Sequence, residues 1–325
     1  MKKQFVAAAI LALALVPAAF AKNDAMSLIP NDSVSVGVVR LADMRSSPLS
    51  AALFAQTAQM TNDDDAMKFL REAGFQPTKD VDVVVFATSP RTNLGSQADF
   101  LIAADGRFNV DRLTSALVSR GAIKKTSAHG VYFLMPEKGE KDHQGVVAFP
   151  DSHLALIGSE AAVTEALASR AAGGTSFLTT SGLGRDMVHV DPHATAFVLV
   201  DVPRAQRITG APKMAGNSSQ SQALGAALKN VSTVAIWATD NGDSLKLSAL
   251  GLSSDSETLG LVEDTLRGAL SAMRLAVQDK APEMVSLLRK FTVTRTDSSV
   301  QISGSVPAET FKTWVAKSQA HASSR

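Results

Sequence analysis

The chain has 325 residues, a formal net charge of +1 and no cysteine. The missing thiols exclude disulfides, thiolate metal sites and a lipid-carrying N-terminal cysteine. Balanced charge argues against a nucleic-acid or anionic membrane surface, and 5% aromatic residues, with two tryptophans and one tyrosine, leave few stacking platforms for sugars or single strands.

Residues 1–21 read as a secretory signal peptide. Lys2 and Lys3 precede an apolar run from Phe5 to Val16, Pro17 breaks it, and Ala19-Phe20-Ala21 supplies the small-x-small cleavage pattern. The run is shorter than the ~20 residues a spanning helix needs. The expected product is a soluble protein starting at Lys22, periplasmic or secreted, with no later membrane span. Its charge is −1 once Lys2 and Lys3 are removed.

Apolar alternation with β-branched residues marks the strands that follow. A strand over Val34–Val39 leads to Ser46-Ser47-Pro48, a helix start with Pro in its first turn. A second helix begins in Asp63-Asp64-Asp65 and ends at Gly74. Strands are expected at Val81–Ala87 and Ala98–Ala104, then a helix capped by Asn109 and closed by Gly121. Four strands follow, near Ala122–Thr126, Val131–Met135, Gly145–Phe149 and Leu154–Ile157. Ser159 caps a helix over Glu160–Ser169. Residues 171–193, rich at first in Gly, Ser and Thr, read as a connection. Beyond it come a strand at Thr195–Val202, a polar loop from Pro203 to Gln220, and a helix near Gln222–Leu228. Val231–Ala238 and Leu245–Leu250 form a hairpin on Asn241-Gly242. Ser254 or Asp255 caps a long helix whose stripe is Leu259, Val262, Leu266, Leu270, Met273 and Val277. Pro282 starts a short helix, Phe291–Thr294 and Val300–Ser303 form a last hairpin, and Pro307 opens a final helix through Phe311, Trp314 and Val315.

This order divides the chain into a signal peptide (1–21), a first α+β half (22–170), a connecting segment (171–193), a second α+β half (194–319) and a polar tail (320–325). The halves share their order of elements. Val83-Val84-Val85-Phe86-Ala87-Thr88 matches Thr233-Val234-Ala235-Ile236-Trp237-Ala238-Thr239. Asp111–Leu117 echoes Glu263–Leu270. The expected fold is α+β, a tandem duplication of a β-α-β-β-α-β, ferredoxin-like unit with mostly antiparallel sheets and helices on one face. The two sheets would join edge to edge. The competing reading is a coincidence between two generic α+β segments.

The mature start Leu28-Ile29-Pro30-Asn31-Asp32, the stretch Leu41–Leu49, Gly74-Phe75-Gln76-Pro77 and Gly158-Ser159-Glu160 resemble uncharacterised exported bacterial proteins of a domain-of-unknown-function type. Gln76 stands where that family's phrase has Asp. The resemblance implies export and brings no functional residue with it.

Candidate chemistry is sparse. His189, Asp191 and His193 alternate, so an extended segment would project them from one face, and imidazole with carboxylate can hold zinc. Against this, Asp191-Pro192 is a turn dipeptide just before a strand, and a structural zinc site usually takes four ligands. Asp63–Asp65 lacks the spacing and glycine of a calcium loop and fits a helix start instead. No Gly-x-Ser-x-Gly elbow exists, and Gly182-Leu183-Gly184 lacks the strand and third glycine of a phosphate loop. The methionines are scattered, as core packing would have them. The Pro203–Gln220 loop is a candidate partner contact. Binding is thus favoured over catalysis: an exported binding or scaffold protein with a cell-envelope protein as partner, no catalytic residue and no cofactor. The alternatives are a small-molecule or metal carrier, or an envelope hydrolase using His189, Asp191 and His193.

Overall fold

A computed structural model describes residues 25–47, 49, 64–90, 98–136, 145–209, 230–279 and 281–313. The signal peptide, the helix expected at Gln222–Leu228, Trp314 and the tail lie outside them. The architecture is mixed α and β, built on a large antiparallel sheet. Its strands are β1 (Ser35–Arg40), β2 (Val81–Pro90), β3 (Ala98–Gly106), β4 (Ile123–Ser127), β5 (Gly130–Leu134), β6 (Val146–Ala148), β7 (Leu154–Gly158), β8 (Ala196–Asp201), β9 (Thr233–Asp240), β10 (Ser244–Leu252), β11 (Thr292–Arg295) and β12 (Ser299–Pro307). They form one sheet of 12 strands in the order β11-β12-β10-β9-β8-β1-β2-β3-β7-β6-β5-β4. The sheets of the two halves join edge to edge through the antiparallel β1–β8 pair.

The labelled helices are α1 (Asp64–Ala73), α2 (Val110–Ser119), α3 (Glu160–Ala171), α4 (Val202–Thr209), α5 (Ser256–Val277) and α6 (Pro282–Leu288). Their starts follow local chemistry. Asn109 accepts from Arg112 N–H and Ser159 from Ala162 N–H, while Asp255 accepts from Glu257 and Thr258 N–H. Gly242, at φ +84, closes the β9–β10 hairpin where a side chain would be strained. The helix α4 occupies Val202–Thr209, where the Pro203–Gln220 loop was expected to begin. Pro203 sits in its first turn, where a missing N–H is harmless, and Arg204 N–H is held by the Asp201 carboxylate at 3.0 Å. The remainder of that loop lies outside the described residues.

Helices cover both faces of the sheet, not one. On the first face, Val36, Val38, Val83, Val85, Leu101, Leu154, Phe197 and Leu199 form a continuous core. It is closed by the N-terminal turn Met26–Leu28, by Ala162, Val163, Ala166 and Leu167 of α3, and by Phe177 and Leu183 from residues 171–193. The expected connection is therefore part of the main core. Phe177 and Leu28 are each at most 1% exposed, and burying such a side chain contributes about 1.5–3 kcal/mol. On the second face, α1 and α2 pack over the first half through Ala73, Phe108, Leu113 and Ala116. Over the second half, Leu259, Val262 and Leu270 of α5 meet Val231, Val293 and Val300. The far end of the predicted α5 stripe leaves the sheet, and Met273 is 51% exposed.

The strand order also corrects the ferredoxin-like expectation. A split β-α-β unit inserts another strand between its first and second. Here β1, β2 and β3 are direct neighbours, as are β8, β9 and β10, and each meander is completed by a strand returning after a helix, β7 beside β3 and β12 beside β10.

Candidate functional site

Among the described residues, the second face is open at the middle of the sheet. Cross-strand partners align there into three rows between β7 and β9. The middle row is Ile157, Ile102, Phe86, Gly37, Val198 and Ile236. One flanking row is Ala155, Ala104, Val84, Val39, Ala196 and Ala238; the other is Phe100, Thr88, Ser35, Val200 and Val234. None of these residues carries a charge. The Ala104 side is covered by the α1–α2 layer, and Ala238 at the β9 end of that row by Leu49 and Phe311. The middle row is left exposed: Ile157 42%, Phe86 39% and Ile236 49%, with Phe100 beside it at 43%. Large apolar side chains gathered on one strip mark an interaction surface, whereas singly scattered ones need no explanation.

Two arginines lock the strands that floor this strip. Arg204, just past β8, donates through Nη1 to the Ser33 carbonyl at 3.2 Å and through Nη2 to the Asp32 carbonyl. Arg40, at the end of β1, donates to the Ala194 carbonyl and lies over the Phe197 ring at 5.8 Å. Each half thus grips the entry turn of the other's central strand. The backbone repeats the exchange: Arg40 N–H reaches Thr195 O at 2.8 Å, and Asp201 N–H reaches Val34 O at 2.9 Å.

The metal candidates sit on one of these entry turns. His189 ends a 3-10 turn over Met187–His189, just as Leu28 ends one over Met26–Leu28. Ala194 N–H then donates to Asp191 O at 2.9 Å, as Ser33 N–H does to Pro30 O at 3.1 Å. The Asp191 carboxylate is taken up by the turn, accepting from His193 N–H at 2.9 Å and from Thr239 Oγ1 at 3.4 Å. His189 and His193 are exposed. Among the described residues, no three His, Asp or Glu side chains stand together as a metal site would require. Asp186, three residues before His189, accepts from Thr233 Oγ1 at 2.6 Å.

Among the described residues, three groups have displaced titrations. Tyr132 donates to Glu160 Oε1 at 2.6 Å, and this bond, with burial, holds its phenol above the ordinary value. Burial, then the charges of Asp32 and Asp99, raise Glu165 on α3. The hydrogen bonds from Thr258 and Glu257 lower Asp255 at the start of α5. None of the three belongs to the rows of the apolar strip.

The strip was not singled out from sequence, yet it left a signal. Val83-Val84-Val85-Phe86-Ala87 is apolar at every position rather than alternating, as strands covered on both faces are. No helix among the described residues is long and apolar enough to cross a membrane.

No family model matches the chain, and no curated protein matches it. Among solved structures the chain is similar to TP0453. Crystal form III of that protein aligns at 10% identity and a TM-score of 0.52, over 90% of this chain and 98% of that one. Crystal form I aligns at 9% identity and a TM-score of 0.50, over 92% of this chain and 98% of that one. At such identity the likeness shows a shared α+β fold and nothing of activity.

Proposed function

We propose that this chain is an exported binding or scaffold protein of the bacterial cell envelope, and that the open strip at the middle of its sheet receives a partner protein. The observation that carries this reading is the row Ile157, Ile102, Phe86, Gly37, Val198 and Ile236, apolar, uncharged and partly exposed. Five inter-strand steps of about 4.8 Å give the strip a length of about 24 Å. That length matches about 16 residues of helix at 1.5 Å per residue. The partner chemistry is therefore an amphipathic helix that lays its apolar face across the strands. Export rests on the signal-peptide pattern of residues 1–21.

A tandem duplication underlies the surface. Its supports are the paired 3-10 entry turns, the reciprocal bonds across β1–β8, and the two meanders that run outward from that seam. The repeating unit is a three-stranded meander, a helix and returning strands.

The test is photo-crosslinking in the envelope of the native host, with a crosslinking residue at Phe86, at Ile236, or at Lys125 on the edge strand β4. The expected result is one and the same protein joined at Phe86 and Ile236 but not at Lys125, and lost on Phe100→Lys. Its intact mass should begin at Lys22. No adduct at either strip position would overturn the proposal, and an unprocessed chain would overturn export.

A further inference from the structure

A second surface lies far from the strip in the chain, between α5 and α6. Ser271, Arg274, Leu275 and Gln278 fall on one stripe of α5, three and four residues apart. They face Val285 and Arg289 of the α6 segment across a groove of about 550 Å³. Its charged lining is cationic only: no carboxylate lines the groove among the described residues.

The two arginines are placed differently. Arg274 is fixed, with Nη2 donating to the Leu288 carbonyl at 2.9 Å and to the Phe291 carbonyl at 3.4 Å. Those bonds secure the C-terminal end of α6, where carbonyls lack partners and a cation is favoured. They also leave Arg274 Nε buried without a hydrogen-bond partner. Arg289 is exposed, and its guanidinium has no ion-pair partner among the described residues. Ser271 and Gln278 add neutral donors, while Leu275, 71% exposed, and Val285 add apolar wall.

We infer that this groove binds a small organic anion, a carboxylate or phosphate carrying a short apolar group. Arg274 keeps Nη1 for an anion, since Nη2 is taken by two carbonyls and Nε is buried, and an anchored guanidinium costs little further side-chain entropy when it engages one. The planar fork that suits both oxyanions is that of Arg289. The second, freer guanidinium closes from the α6 side, and the apolar group rests on Leu275 and Val285. The inference deepens the reading of the chain as a binding protein, yet it stands on residues separate from the strip.

The experiment titrates the mature protein with butyrate, butyl phosphate, inorganic phosphate and chloride, following the arginine side-chain N–H resonances. The expected result is saturable shifts of Arg274 and Arg289 with butyrate or butyl phosphate. Affinity should fall at least tenfold in Arg289→Gln and stay unchanged in Phe86→Lys. Saturation by only one of the two organic anions supports the site and assigns its source chemistry. Equal binding by inorganic phosphate and butyl phosphate would overturn the apolar contact. Linear, chloride-like shifts, or an unchanged affinity in Arg289→Gln, would overturn the site. Arg289 is exposed and outside the core, so that variant tests binding without threatening the fold, and none of these outcomes touches the crosslinking at Phe86 and Ile236.

Discussion

The Phe86 ring lies across Gly37: a Cβ built on that glycine would stand 1.8 Å from the ring. On the other side of the β1–β8 seam, the cross-strand pair Val198 and Ile236 fills the same level of the row. One half packs a large ring over no side chain, and the other packs two β-branched side chains of intermediate size. The two solutions are alternatives for one space, so the residues should be coupled in energy.

Gly37→Val and Phe86→Ile therefore should not add. Each alone breaks its match, by collision or by leaving a gap. The double variant recreates the Val–Ile pairing of the other half. Urea unfolding of the four proteins should give an interaction energy of about 0.5–3 kcal/mol in favour of the double variant. Additive effects would show that the ring and the glycine are not matched.

The reciprocal arginines give a second expectation. Arg204→Gln removes charged donors from the Ser33 and Asp32 carbonyls, and Arg40→Gln removes one from Ala194. A hydrogen bond to a charged group is worth about 1.5–3 kcal/mol when buried. The Arg204 side chain is 30% exposed, so a loss of about 1 kcal/mol is expected there in urea unfolding. Restored stability in Arg204→Lys would show that charge alone, not the two-pronged geometry, secures the seam.

The entry turn before β8 separates a structural from a metal-binding role. Asp191→Ala removes acceptors for His193 N–H and the Thr239 hydroxyl, and should cost about 1 kcal/mol. His189→Ala and His193→Ala should stay within about 0.5 kcal/mol of the parent, as exposed substitutions do. Thermal unfolding with zinc and with a chelator is the check. A zinc-dependent rise in melting temperature, abolished in both histidine variants, would restore the metal reading.

Much of this fold was legible because its strands and caps obey local rules. Asn109, Ser159 and Asp255 cap the helices that follow them, and Asn241-Gly242 turns the hairpin between β9 and β10. Strand adjacency was not legible, since period and propensity are silent about which strand pairs with which. The covering of both faces had a local trace in the unbroken apolar run of β2, but choosing that reading over a partly open face needs the long-range packing of α3 and Phe177 on one side and of α1 and α2 on the other. The strip was hidden for the same reason. Phe86 is apolar like its neighbours Val85 and Ala87, and only the uncovered middle of the sheet distinguishes it. The alternation of His189, Asp191 and His193 was read as an extended segment, whereas His189 belongs to a 3-10 turn and Asp191 to the turn that follows.

Two carboxylates should tilt the pH dependence of stability in opposite directions. Burial and the charges of Asp32 and Asp99 raise Glu165 above the ordinary carboxyl value, so between that value and the raised one the folded chain binds more protons than the unfolded chain. Stability from this group falls as pH rises through that window. Glu165→Gln should match the parent in acid and become the more stable protein as pH rises past the window. Asp255 is lowered from 3.8 by the helix-start hydrogen bonds of Thr258 and Glu257. Its contribution is present above that value and is lost as pH falls through the lowered one. Asp255→Asn keeps a capping oxygen, so it should match the parent in acid and fall below it near neutrality. Melting temperatures of the three proteins from pH 2 to 8 would show the two differences opening with opposite sign. Parallel curves for Glu165→Gln would mean that neither burial nor the Asp32 and Asp99 charges displace its titration, and parallel curves for Asp255→Asn that the cap works by hydrogen bonding alone and not by charge at the head of α5.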